Sequence, residues 1–316
     1  PRPGTAAEAL SAVLPQVTLP TQPATRDPYL SAFLADHGLG ERTYVGPQSH
    51  AQPLLTFDVV TGTGTPNPAT GLVDSSDDEV QHVLGLIIDH ALTQPGDSLG
   101  VVAISDVHAA QIRNAVTEAV RMNPALTQFF DPAAAEPFVV TDLTDVSGLC
   151  RDRIIFTLGL AKTPHGRLLH RFGPIGEPGG DGLLLTALAA TRRHLAVVTS
   201  FTADELDVER LRPGGPMLLH AFLTFAQLRA QGATIAAGDT VSRRPDRMML
   251  DLGARLEARG LRVEVDYGIT GSPRIPLAVG YPDEPELLVA VLTDDAAYVA
   301  EPAVRVRDRL VAQSLE

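Results

Sequence analysis

The sequence predicts an α/β protein in which a doubly wound parallel sheet is followed by a smaller unit of order αβββα. Three observations carry this. Continuous apolar runs rich in Val, Ile and Leu alternate with stretches of helical length, the pattern of a sheet covered on both faces. With 316 residues and 44% hydrophobic content, the chain can bury a large core and divides more naturally into two domains than one. Past a breaker region from Gly232 to Thr240, the order changes to one helix, three strands and a final helix.

Residues 1–28 are Pro-rich and read as a linker, with a short helix at Ala6–Leu14. A first domain, 29–232, then holds strands at 54–60, 99–104, 137–141, 153–158 and 195–200. Helices fit at 77–93, 106–121, 182–193 and 216–231. Residues 61–76, dense in Gly, Thr and Pro, form a loop, and Ser75 and Ser76 within the acidic run Asp74–Glu79 suit the N-cap of the helix that follows. A linker at 233–244 leads to the second domain, 245–316, with a helix at 245–259, strands at 261–269, 274–280 and 286–293, and a helix at 302–315. The chain stops inside that helical pattern, so it reads as cut from something longer. No internal repeat relates the two halves. In a doubly wound sheet the strand ends are where a ligand sits.

Composition removes several classes of function. A formal net charge of −13 and a pI near 5.1 oppose broad, charge-driven binding to nucleic acid, leaving room only for a local basic groove. Cys150 is the sole cysteine, which excludes an internal disulfide and any multi-cysteine metal site, and a reducing cytoplasm is the natural compartment. No apolar run reaches the roughly 20 residues of a membrane helix. Lys162 is the only lysine and sits in Leu-Ala-Lys-Thr-Pro, without the glycine that a phosphate-cradling Gly-x-x-x-x-Gly-Lys-Ser/Thr loop requires.

One resemblance sharpens this reading. The stretch from Phe138 to Thr157, Phe-Val-Val-Thr-Asp-Leu-Thr-Asp-Val-Ser-Gly-Leu-Cys-Arg-Asp-Arg-Ile-Ile-Phe-Thr, is followed by Phe172-Gly-Pro-Ile and Thr191-Arg-Arg-His-Leu-Ala-Val-Val-Thr-Ser-Phe201. With Arg26-Asp-Pro-Tyr-Leu-Ser-Ala-Phe33 and Leu99-Gly-Val-Val-Ala-Ile-Ser105, it resembles the second RecA-like domain of superfamily 1 DNA/RNA helicases over residues 20–232. The resemblance implies ATP-dependent chemistry, yet the positions that would carry it have changed. The family's Tyr-Arg element, whose Arg approaches the γ-phosphate, falls at Pro23 and Ala24. Its Gln-Gly-x-Glu signature falls at Ser147, Gly148, Leu149 and Cys150, where only the glycine remains. Its Thr-Arg-Ala-Arg finger element falls at Ala189, Ala190, Thr191 and Arg192, so the first arginine is Ala190. An arginine finger contributes roughly 10³ to 10⁵ in phosphoryl-transfer rate by neutralising transition-state charge, and alanine offers nothing in its place. Arg192 and Arg193 could serve as displaced fingers, but the plainer expectation is solvated side chains at a helix C-terminus.

The second domain resembles the very-short-patch-repair-like restriction endonuclease fold. The carrying residues are Gly260-Leu-Arg-Val-Glu-Val-Asp-Tyr-Gly-Ile-Thr-Gly, Arg274-Ile-Pro-Leu-Ala-Val279, Val291-Leu-Thr-Asp-Asp-Ala-Ala-Tyr298 and Arg305-Val-Arg-Asp-Arg-Leu310. Its metal-binding acids would fall at Met249, Pro276 and Leu292, where apolar side chains stand. Metal-dependent cleavage needs carboxylates to hold the ion. Asp294 and Asp295 are adjacent but point to opposite faces of an extended chain, so they read as turn residues.

Other candidates have plainer readings. Gly179-Gly-Asp-Gly182 lacks the lysine and preceding strand of a phosphate loop and reads as an entry into a helix. His165 and His170 do not share a helical face, and Cys150 has a single basic neighbour, Arg151. The expected function is a helicase-related pseudoenzyme, a C-terminal part that binds or scaffolds the missing N-terminal half or another protein. No cofactor is expected in this chain, with ATP and magnesium belonging only to an active longer protein. The alternatives are part of an active helicase or translocase completed by an upstream domain, and an isolated nucleic-acid-binding module, which the negative charge disfavours.

Overall fold

The computed structural model describes residues 13, 26–39, 54–68, 71–74, 77–231, 247–267, 275–284 and 287–294. The first helix, α1 (Pro28–Asp36), forms because Asp27 caps it. One carboxylate oxygen accepts from the Tyr29 and Leu30 amides at 2.8 and 3.0 Å, while Pro28 presets φ at the first position. The expected linker of residues 1–28 therefore runs too far: Arg26 and Asp27 are buried and belong to the folded unit. The Asp-Pro pair was the available signal for this helix.

Strands β1 (Leu55–Val59), β2 (Leu99–Ala103), β3 (Val139–Asp142), β4 (Arg151–Thr157) and β5 (Thr191–Thr199) form one parallel sheet in the order β1-β5-β4-β2-β3. Helices α2 (Asp77–Thr93) and α3 (Asp106–Met122) cover one face, and α1, α4 (Gly180–Ala189) and α5 (Gly215–Ala230) cover the other. Period-two alternation divides the strands between these faces. Val101, Ala103, Ile155, Ala196 and Val198 pack with Val83 and Ile87 of α2 and Ile112 of α3. Val102, Ile154, Phe156, Leu195 and Val197 pack with Leu34, Leu188 and Phe222 of the opposite helices. The fold class read from the sequence is thus the one observed. The 61–76 loop, where described, is tied down by bridges from Thr63 to Lys162 and from Asp74 to Leu160.

One boundary moves with consequence. The helix expected at 182–193 ends at Ala189, and β5 begins at Thr191 instead of 195. Pairing overrides helical propensity here. Arg26 donates to the carbonyls of Ala189 and Thr191 at 2.6 and 2.7 Å, meeting acceptors that the helix end leaves open, and β4 recruits Thr191 into register with Arg151. Arg192 and Arg193 consequently lie on a strand, not at a helix C-terminus.

In the second unit, β6 (Arg262–Tyr267), β7 (Ile275–Gly280) and β8 (Leu287–Val291) form an antiparallel sheet with β7 in the centre. Helix α6 (Arg247–Glu257) lays Met249, Leu252 and Leu256 against Val263, Val265, Leu277 and Val279. Gly253 faces the sheet, where a Cβ would make ordinary contact with Leu277 and Val263 at 3.4 Å. The helices expected at Ala6–Leu14 and 302–315, the 233–244 linker, and Ser75 and Ser76 as caps lie outside the described residues. Among the described residues, no helix is long and apolar enough to cross a membrane.

Candidate functional site

The register of β4 against β5 gathers the helicase-like positions at the amino-terminal edge of the sheet. Cys150 immediately precedes β4, the Arg151 amide donates to the Ala190 carbonyl at 3.0 Å, and Arg192 follows one residue into β5. Ser147 and Gly148 lie on the exposed turn that leads in, with Gly148 at φ 78. Ala24 lies outside the described residues. Two positions later, the Arg26 guanidinium is buried beneath this edge. Burial pushes its pKa down from the ordinary value, against a smaller opposing effect of the Cys150 thiol.

The positive charges here are already engaged. Arg192 donates to Glu136 at 2.8 Å, to Asp152 at 3.1 Å and to the Ser98 hydroxyl at 2.9 Å. Its hydrogen bond, then that of Ser98, holds the Glu136 carboxyl down at about 2, and Glu136 in turn raises Arg192. Burial opposes ionisation of Asp152, but the Ser98 amide and hydroxyl and Arg192 outweigh it and keep its pKa low. Arg151 donates to the carbonyls of Pro137 and Cys150, and Arg193 pairs with Asp97 at 3.2 Å. Ala190 is buried. A finger must bring an uncommitted guanidinium to a developing negative charge. Arg192 would first have to leave two carboxylates.

At the opposite edge, β2 and β4 are neighbours whose connections leave toward opposite faces, through α3 and α4. This is the switch point where open α/β sheets form a ligand crevice. Here a side chain fills it. His108, on the first turn of α3, places Nε2 3.0 Å from Thr157 Oγ1 at the end of β4. The Thr157 hydroxyl and the Gly159 amide donate to Glu79 Oε1 at 2.6 and 2.9 Å. Because the threonine proton goes to Glu79, its oxygen accepts from the imidazole, and the neutral ring carries its proton on Nε2. Burial, against a smaller raising effect of the Gln111 side chain, lowers His108 to about 4. Gly159, at φ 62, leaves space for the ring: a Cβ would stand 2.4 Å from it. The expectation of a ligand at these strand ends meets a closed polar plug, because the first turns of α2 and α3 deliver Glu79 and His108 into the crevice. Glu79 had read only as part of an acidic helix start, and His108 carried no motif.

The positions expected to carry nuclease acids lie on α6, on β7 and after β8. Met249 is buried between α6 and β7, Pro276 occupies β7, Leu292 follows β8 and is 43% exposed, and Asp294 is exposed. Asp295 lies outside the described residues. Among the described residues, no three His, Cys, Asp or Glu side chains are grouped to hold a metal ion. His170 Nε2 accepts from the Asp207 amide at 3.2 Å, while Lys162 is ion-paired with Glu205. Gly179, at φ 87, turns the chain into α4, as its glycine run suggested. A cavity of about 360 Å³ lies between α1 and α5, lined by Tyr29, Phe33, Phe225 and Leu228.

No family model and no curated protein matches this chain. Among solved structures, the C-terminal domain of a possible DNA helicase from Lactobacillus plantarum WCFS1 is 14% identical, with 60% of this chain and 89% of that one covered at a TM-score of 0.30. The C-terminal part of the Fun30 ATPase domain is 9% identical, with 50% and 56% covered at a TM-score of 0.25. Likeness at this level assigns no family.

Proposed function

We propose that this chain is a helicase-related module, the C-terminal part of a larger superfamily 1 protein, that has lost catalysis and works by binding or scaffolding. Its ligand would be the N-terminal helicase half or another protein, in the cytoplasm. The observation that carries this reading is the closed network at the amino edge. There Ser147, Cys150 and Ala190 replace polar side chains, and Arg192 is spent on Glu136, Asp152 and Ser98. A second RecA-like domain is the reading of the sheet that accords with the sequence motifs. The apolar residues Met249, Pro276 and Leu292 extend the same logic to a restriction endonuclease-like second unit without its acids. A fold can outlast its chemistry because removing a few polar side chains leaves packing intact.

Calorimetry with ATP and magnesium, then with single-stranded DNA, on this chain and on the longest version that its gene encodes, tests the reading. Silence in both is the expected result. Nucleotide binding and turnover in the longer protein would sink it and favour an active helicase whose phosphate loop lies upstream.

A further inference from the structure

Among the described residues, the edge strands of the two sheets differ in charge. In the parallel sheet, β1 carries Asp58 and β3 carries Asp142, and in the antiparallel sheet β6 carries Arg262, Glu264 and Asp266. The remaining edge strand, β8, reads Leu287-Leu-Val-Ala-Val291 with Leu292 after it, an apolar run without charge, proline or glycine. Its inner side pairs with β7, and among the described residues no strand pairs with its outer side. Such an edge presents a row of backbone donors and acceptors beside apolar side chains, a template for a further strand that proteins ordinarily guard with charge.

The side chains of β8 are open as well. Leu288 and Val289 are each 56% exposed and Leu292 43%, and Ala290 is exposed between them. Helix α6 packs chiefly on β6 and β7, and of β8 only Val291 joins that apolar cluster. The register shift against β7 falls at Leu287 and Leu288, leaving Val289, Ala290 and Val291 in regular register.

We propose that β8 pairs antiparallel with β8 of a second copy of this chain, about a two-fold axis through Ala290. Self-complementarity selects a second copy as the occupant. In an antiparallel pair centred on Ala290, Val289 stands opposite Val291 of the second copy and Leu288 opposite Leu292, so each exposed apolar side chain meets an apolar one on the same face of the sheet. Centring the pair on Val289 would set Leu292 against Glu286, and centring it on Val291 would set Leu288 against Asp294. The contact is isologous and closed, so both copies lose their open edge together. A pair of short strands buries less than the roughly 1,200–2,000 Å² of a standard stable interface, which makes the expected association reversible. The inference concerns the second unit alone and does not depend on loss of ATPase activity.

Sedimentation velocity on the whole chain, across a hundredfold range of concentration, tests this. A reversible monomer–dimer equilibrium is expected. Ala290→Lys sets two like charges opposite each other at the axis and should weaken dimerisation by about tenfold. Leu250→Lys, which replaces a 47% exposed side chain of α6, should leave it unchanged. In a Cys150→Ser background, Ala290→Cys should give a disulfide-linked dimer on mild oxidation, because residues directly opposite in a strand pair lie within the Cα separation that a disulfide spans. Circular dichroism melts check the folding of each variant. A monomer at every concentration, a dimer that Ala290→Lys leaves intact, equal weakening by Leu250→Lys, or no cross-link through Ala290→Cys would each overturn the proposal.

Discussion

Asp27 links two kinds of stabilisation in one side chain. It caps α1 through Oδ1 and binds Arg229 through Oδ2 at 2.7 Å, and its side chain is only 2% exposed. Arg229 in turn lies 4.1 Å from the centre of the Tyr29 ring. Replacing Asp27 with alanine removes a cap and strands part of a buried ion pair, so urea unfolding should show a loss of about 3 kcal/mol. A change within about 0.5 kcal/mol, the size of an ordinary surface substitution, would contradict the assignment. Histidine burial makes a second residue-level prediction. His108 falls from 6.5 to about 4 in the fold, and His194 to about 3, through burial and then the nearby Arg153 and His90. The unfolded chain therefore binds more protons between pH 6.5 and these values. Stability is complete above the unfolded value and declines as pH falls through the window. Unfolding midpoints should drop between pH 7 and pH 5, and His108→Gln should make that drop smaller. An unchanged pH profile in the variant would remove His108 from the account.

At the scale of elements, the decisive junction is between α4 and β5. A helical pattern continues in the sequence through Arg193, but Arg26 binds the carbonyls on either side of Ala190 while β4 pairs with Thr191. Arg26→Met should keep most of the buried volume, lose both bonds, and cost about 2–4 kcal/mol because two buried carbonyls lose a charged donor. Hydrogen exchange should locate the weakening at residues 187–193. Uniform loss of protection across the sheet would mean that Arg26 serves general packing instead. The expected strands and helices of the main unit were largely legible, because apolar periodicity reports which side of a strand or helix meets the core. The α1 helix and the start of β5 were less so, since each depends on a buried polar residue, Asp27 or Arg26, whose backbone partners are local in one case and about 160 residues away in the other.

Across the whole molecule, the two ends of the parallel sheet have different characters. The amino edge ties Arg192 into an ion-pair network with Glu136 and Asp152, and the carboxyl edge places His108 against Thr157 and carries exposed arginines on its rim. Among the described residues, neither edge presents an open phosphate site. A saturating ligand that binds only the folded state raises stability by about 2.7 kcal/mol at one hundred times its dissociation constant. Millimolar ATP and magnesium should therefore leave the melting temperature of this chain unchanged, and a rise of several degrees would show a nucleotide site that the network does not provide.

The sequence by itself determined the α/β class, the placement of most core strands and helices, and the apolar character of Ala190, Met249, Pro276 and Leu292, all of which are properties of local pattern and residue type. Only the tertiary structure decided that Arg192 is bound to Glu136 and Asp152 and that Glu79 and His108 close the switch-point crevice. Those facts depend on strand order and register, which bring residues distant in the chain within hydrogen-bonding reach.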